Sequence, residues 1–339
     1  MNRSRIACAA TLALALTPLA AGTASAARRP QGPPPPPKAS NGAKVTTLAQ
    51  GVPTPTAFAF AGKTTFVAGG GAEDGSAPGG VYTVARGRAT RVAGSPKSVF
   101  GLAWAGTTLY ASSGPSIVAA SGWNGRRFSS GFRAIWTGPR GFTGLNGIAL
   151  GPDDRLYAGV TMAEKGDHAK VNAPLAQSII SLTTAGEDVK TYATGLRQPW
   201  QLTFAPGADT PLATALGQEN LGRKQPPDYV IAPADGDDYG FPSCNWSKPA
   251  ACADFARPLA LLPAHSSPMG IGVIGKRIYL ALFTGTGRGP SVVSIPLAGG
   301  RAAPKPLLTG FAAPVVALGT HAGQVYAGDV TGAIYRAKG

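Results

Sequence analysis

A chain of 339 residues with 47 glycines, 31 prolines and only 14% charged residues has the punctuation of a β-rich protein, and no long 3.6-residue periodicity offers a helical alternative. Its formal charge of +15 suits anionic ligands or cell-envelope polymers, and equally a plain solubilising surface. Basic residues run no further than pairs such as Arg126-Arg127 and do not interleave with aromatics, which excludes a nucleic-acid track.

Residues 1–26 read as a secretion signal: Arg3 and Arg5 precede an apolar run from Ile6 to Leu19, and Ala24-Ser25-Ala26 forms a small-residue cleavage site. The expectation is a mature protein outside the cytoplasm, secreted or at the exterior of the cell envelope. No other stretch is long and apolar enough to span a bilayer. Residues 27–43, with Pro33 to Pro37 in a row, read as an extended, semi-rigid linker.

From residue 44 to 339 one phrase recurs six times: an apolar strand of small residues, a Gly- or Asp-centred turn, then a second strand ending in an aromatic or Leu followed by Ala. It begins at Ala57 (AFAFAGKTTFVAGG), Gly101 (GLAWAGTTLYASSG), Gly147 (GIALGPDDRLYAGV), Gln201, Gly270 (GIGVIGKRIYLALF) and Val315. The recurrence lies near the ~40–45-residue period of a four-stranded propeller blade and is stretched in the third and fourth units. Each hairpin is followed by a third apolar run, and the first five units also have a fourth. The sixth lacks one after AIYRAKG, whereas KVTTLAQG at Lys44 to Gly51 has the fourth-strand pattern but precedes the first hairpin. The expected fold is all-β, a six-bladed β-propeller with an N-terminal strand closing the last blade and removing a free sheet edge. Trp104, Trp136 and Trp200 fall on strands and read as packing between blades.

Beyond the signal only Cys244 and Cys252 remain, and an even pair in an exported chain reads as a disulfide closing the loop CNWSKPAAC. In a propeller the loops between second and third strands, with the starts of the inner strands, gather at one mouth. That geometry nominates Glu73, Asp74, the loop Glu164 to Lys170 with His168, the loop Gln218 to Lys224, Arg288 and Asp329. The inner strands add Thr143, Leu145 and Asn146, then Arg197 and Gln198, then His265 and Met269. The two long loops EKGDHAKVNAPLAQ and GQENLGRKQPP exceed what a hairpin needs.

The phrases LNGIALGPDDRLYAG, ATGLRQPWQLTFAPG, PPDYVIAPADGDDYGFP, PAHSSPMGI and FTGTGRGPSVVSIPLAGG stand in an order that resembles the soluble quinoprotein glucose/sorbosone dehydrogenases. The resemblance spans residues 143 to 311 and implies a six-bladed propeller holding pyrroloquinoline quinone (PQQ) and calcium and oxidising an aldose or related sugar. It implies that Arg197 is the arginine of the family's active-site motif, followed by Gln198 where the family has Asn. Carbonyls of Gln218, Glu219 and Asn220 and the carboxylate of Asp228 are the implied calcium ligands, with Tyr229 in place of the next family Glu. Arg288 takes the place of a cationic PQQ ligand, and Ala312 and Ala313 replace the family's PQQ-clamping arginines. The family's catalytic His position holds Thr143, which is no base at neutral pH.

His168 and His265 are the histidines placed to supply an imidazole base. Their plainer readings are a solvated loop residue and a packed, hydrogen-bonded one. Arg197 has the alternative of bridging blades through carbonyls. Asp235, Asp237 and Asp238 read as either a calcium loop or a solvated turn. Three functions follow: a quinoprotein sugar oxidoreductase, a catalytically silent propeller that binds a saccharide or envelope ligand, and a calcium-dependent lactone hydrolase with Glu73, Asn146, Asn220 and Asp329 around one metal. The last rests on fold analogy alone.

Overall fold

The computed structural model describes residues 35–72, 74–163, 167, 169, 171–219, 221, 226–287, 289–300 and 303–339. Six four-stranded antiparallel blades follow one another in chain order, each with its first strand innermost. The inner strands are Pro55–Ala61, Gly101–Ala105, Leu145–Leu150, Gln198–Phe204, Pro268–Ile274 and Val315–His321. Each packs beside the next, and the sixth lies against the first, so the ring is closed.

The closure is the one expected from the N-terminal strand pattern. Thr46–Gln50 pairs antiparallel with Ile334–Lys338, setting Thr46 opposite Arg336 and Thr47 opposite Tyr335, and so becomes the outer strand of the sixth blade. The same strand runs parallel to Gly87–Arg91 of the first blade, through Ala49 beside Gly87. Two short outer pairings were not legible in the repeat. Lys38–Ala39 adds to the fifth blade beside Lys305–Thr309, and Asp237–Asp238 adds in parallel to the third.

The core is divided among the seams between blades rather than gathered at a centre. Phe66, Val81, Leu102 and Leu109 fill the seam between the first and second blades, and Ile117, Leu156, Ile180 and Leu182 the next. Tyr192, Leu196, Tyr229 and Trp246 fill the seam between the third and fourth. Such buried side chains contribute roughly 1.5–3 kcal/mol each relative to exposure. The recurring glycine at the head of the hairpin phrase has a steric cause. A Cβ on Gly101 would lie 2.4 Å from the backbone nitrogen of Ile148, and one on Gly270 2.4 Å from that of Leu318. Adjacent inner strands approach so closely at these levels that only hydrogen fits.

Among the described residues no helix is long and apolar enough to cross a membrane.

Candidate functional site

The starts of the inner strands and the loops after each second strand surround one mouth of the axial channel, here called the upper mouth. Its floor is apolar: Leu216, Met269 and Val316 are buried together, with Trp200, Phe283 and Val330 packed against them. Trp200 also meets Phe100 edge-on, with ring centroids 6.5 Å apart. Its indole Nε1 is buried without a hydrogen-bond partner among the described residues.

Arg197, immediately before the fourth inner strand, is buried, only 4% exposed. Its Nε donates to Asp167 Oδ1 at 2.6 Å, and the same oxygen accepts the Glu219 backbone N–H at 3.2 Å. Asp167 thereby ties the long loop of the third blade both to Arg197, at the start of the fourth blade, and to the loop of Glu219. Bridging of blades is one of the two sequence-based readings of Arg197, although the bridge runs through a carboxylate rather than carbonyls.

Gln198 and Asn146 are also buried, and both are committed to the seam between the third and fourth blades. Gln198 Oε1 accepts the Met162 N–H at 2.8 Å. Asn146 Nδ2 donates to the Pro199 carbonyl at 2.7 Å, while its Oδ1 accepts the Thr161 hydroxyl at 3.0 Å. Thr143, at the position of the expected base, donates its hydroxyl to the Thr161 carbonyl.

Asp228 is 4% exposed and fully engaged. Its Oδ1 accepts the Gly217 N–H at 2.7 Å, and its Oδ2 accepts the Ser267 N–H at 2.8 Å and the Ser266 hydroxyl at 3.2 Å. Burial pushes this carboxyl above the ordinary Asp range, with the three hydrogen bonds and nearby His265 opposing. Tyr229, beside it in sequence, is pushed up first by burial and then by the Asp228 charge, with Arg197 pulling the other way. His265 carries an exposed side chain on a left-handed backbone of φ 56°, and Ser267 has φ 49°. The Thr284 hydroxyl holds the His265 carbonyl. Two non-glycine residues held at positive φ within three positions mark a segment whose shape is imposed by its surroundings.

Cys244 and Cys252 are bonded, with Cα atoms 5.4 Å apart. Inside their loop, Asn245 Nδ2 donates to Gln218 Oε1 at 2.9 Å, so the disulfide loop is tied directly to the loop of Gln218 and Glu219. Replacing both cysteines with serine is expected to lower stability by about 2–3 kcal/mol on the chain-entropy account. The check is the denaturant midpoint with and without reductant, since reduced wild type and the double variant are expected to coincide.

The structure therefore brings Arg197, Gln218 and Glu219 together through Asp167 and Asn245, and sets Asp228 beside His265. His168, Asn220 and Arg288, together with Glu73, lie outside the described residues. Among the described residues no group of three or more His, Cys, Asp or Glu side chains is placed to hold a metal. Asp237 and Asp238 cap their own turn, accepting the N–H groups of Ala234 at 2.9 Å and Gly240 at 2.8 Å. Asp329 is spent likewise on the Thr331 N–H and hydroxyl and the Tyr335 hydroxyl. Residues that the sequence reading did not single out include Thr161, Asn245, Ser266 and Ser267, which hydrogen-bond to nominated residues. Gln201 carried a usable signal, a carboxamide on an otherwise apolar inner strand.

No protein-family model and no curated protein sequence matches this chain. Solved structures resemble it over most of its length. The PQQ-bound form of the aldose sugar dehydrogenase of Streptomyces coelicolor is 22% identical with a TM-score of 0.68, covering 90% of this chain and 99% of that one. The holo PQQ domain of pyranose dehydrogenase from Coprinopsis cinerea is 16% identical with a TM-score of 0.70, covering 91% and 99%. The apo-form of the soluble aldose sugar dehydrogenase of Escherichia coli is 14% identical with a TM-score of 0.62, covering 87% and 99%. At these identities the likeness establishes the shared six-bladed propeller.

Proposed function

We propose that this chain is an exported quinoprotein-type oxidoreductase that binds PQQ at the upper mouth and oxidises an aldose or a related sugar. The observation that carries this reading is a buried guanidinium, Arg197, at the head of the inner strand that also supplies Trp200 to the apolar cluster with Met269 and Val316, on a propeller whose structural neighbours include PQQ-bound sugar dehydrogenases. A flat aromatic ring bearing carboxylates asks for those two things, an apolar bed and a cation. When bound, the quinone supplies the two-electron acceptor for the sugar. Arg197 binds and orients an anionic group, and its pairing with Asp167 fixes the guanidinium before the ligand arrives. Among the described residues His265 is the imidazole at this mouth available to take a hydroxyl proton.

Of the implied calcium ligands, the Asp228 carboxylate already receives three hydrogen bonds and Asn220 lies outside the described residues, whereas a hard cation asks for six or more oxygens, so the described residues alone do not complete a calcium site. No step is assigned to the metal.

The deciding experiment is a calorimetric titration of the mature protein with PQQ, with and without calcium, followed by dye-linked oxidation of aldoses. One-to-one binding supports the reading, and no binding under either condition overturns it. The alternative is a catalytically silent propeller that binds a saccharide. It is favoured by one observation: Thr143 stands where a base is required, and its hydroxyl is already donated to Thr161. Thr143→His tests the choice. If only the base is missing, this variant is expected to raise dye reduction by about 100-fold or more, the usual worth of a placed general base. Unchanged turnover in a variant that still binds PQQ favours the silent reading.

A further inference from the structure

Acidic residues are confined to one part of the chain. Apart from Glu73, Asp74 and Asp329, every Asp and Glu lies between Asp153 and Asp254, a stretch that builds the third and fourth blades. Basic residues are not so confined. The fifth, sixth, first and second blades are consecutive in the closed ring, and among the described residues their outer rims carry cations and no carboxylate.

Each of these four outer strands bears an exposed cation on it or just before it: Lys305 in the fifth blade, Lys44 in the sixth, Arg88 in the first and Arg133 in the second. Exposed Arg86 and Arg126 join them from the turns that lead into the outer strands of the first and second blades. The parallel pairing of Gln50 with Arg88 makes the belt continuous from the sixth blade to the first. None of these side chains forms an ion pair among the described residues. On the third blade, by contrast, the Asp188 carboxylate meets Arg155 at 2.9 Å and Lys190 at 3.0 Å. Solubility alone asks for both signs interspersed, not for this segregation.

We infer that the belt binds a flexible, linear polyanion, a polymer with phosphate or carboxylate groups repeated along its chain. Three features select that occupant. Cations spread over four blades lie beyond the reach of one small anion, so the ligand that uses them carries many charges on one chain. The belt is convex and passes round more than half of the ring, so a flat anionic bilayer meets only part of it. A bilayer approaching the hairpin turns instead meets exposed Asp154 and Asp209 on the same side as Lys63 and Lys276. Finally, no Phe, Tyr or Trp is exposed among the described residues, so the bases of a nucleic acid find nothing to stack on. The belt is independent of the quinone reading, because it uses no residue of the upper mouth.

The test is a calorimetric titration of the mature protein with long-chain polyphosphate and with polygalacturonate, using dextran as the neutral chain. Saturable binding of a polyanion and none of dextran is expected, and a preference between the two polyanions identifies which charged group the belt takes. Affinity is expected to fall by about 100- to 1,000-fold between ~50 and ~200 mM salt, as for about six engaged charges. The double variant Arg88→Gln, Arg133→Gln is expected to bind roughly tenfold more weakly, with a log-log salt slope shallower by about two. Lys248→Gln with Arg257→Gln removes the same net charge from exposed positions of the fourth blade and is expected to leave binding largely unchanged. Four results would overturn the inference. One is no polyanion binding at low salt, and another is equal weakening by both double variants, which makes net charge the cause. The third is binding of phosphatidylglycerol vesicles as tight as that of the polymers, which makes the surface a membrane contact. The last is a salt-sensitive dimer in place of polymer binding, with the acidic blades of a second copy on the belt. Failure to bind PQQ leaves it standing.

Discussion

Arg197→Ala is expected to weaken PQQ binding by about 30- to 1,000-fold, which corresponds to the ~2–4 kcal/mol typical of truncating one partner of a buried, hydrogen-bonded charge pair. The guanidinium side chain is 5% exposed and Asp167 is 20% exposed, so little water is available to replace the lost contact. The variant also removes the tie between the long loop of the third blade and the start of the fourth blade's inner strand, leaving Asp167 with the Glu219 N–H among its partners. A modest fall in melting temperature is therefore expected alongside the binding defect. Arg197→Lys separates the two effects: it restores the charge without the planar fork, so the loss is expected to be partial. If Arg197→Ala lowers the melting temperature while the PQQ isotherm stays the same, the residue is a brace between blades and the cofactor site lies elsewhere.

The legibility of Arg197 and the obscurity of its partner share one physical origin. Strand repeats are written locally, in turns and alternation, so the six hairpins and the closing strand Thr46–Gln50 could be read from the chain. The glycine at Gly101 and Gly270 was visible as a recurrence, but its cause, the backbone of the neighbouring blade at 2.4 Å, involves residues about fifty positions away. The same holds at the site. The sequence marks Arg197, Gln198, Gln218 and Asp228 as polar residues at strand starts and loops, yet their partners Asp167, Met162, Asn245 and Ser267 come from other segments. Those pairings change what the residues can do. Asn146 and Gln198 read as ligand contacts from position alone, and the fold adds hydrogen bonds across the seam between blades, from Asn146 Nδ2 to the Pro199 carbonyl and from the Met162 N–H to Gln198 Oε1. The disulfide lay at the legible extreme, since two cysteines leave one pairing. Its connection to Gln218 through Asn245 required coordinates.

The second large effect is expected at Asp228. Asp228→Ala leaves the N–H groups of Gly217 and Ser267 and the hydroxyl of Ser266 without their acceptor where the fourth blade meets the start of the fifth. At ~1–3 kcal/mol for each buried group left unsatisfied, a loss of about 3 kcal/mol or more follows. Asp228→Asn keeps the shape but sets an NH2 group against one of these donors, so it too is expected to destabilise, by about 1–3 kcal/mol. The pH dependence identifies the cause. Burial raises this carboxyl above its unfolded-state value, so between the two values the folded chain holds more protons than the unfolded one. The group's contribution is then greatest below the unfolded-state value and declines as pH rises through the folded-state value. The gap in melting temperature between wild type and Asp228→Asn is accordingly expected to narrow as pH rises from the acid side of that window to neutrality. A gap that widens instead would mean that the three donors outweigh burial and hold the carboxylate ionised. Chelation supplies a separate check. A carboxylate already occupied by protein donors predicts the same melting temperature with and without EDTA, whereas a chelator-induced fall as large as that of Asp228→Ala would make Asp228 a metal ligand.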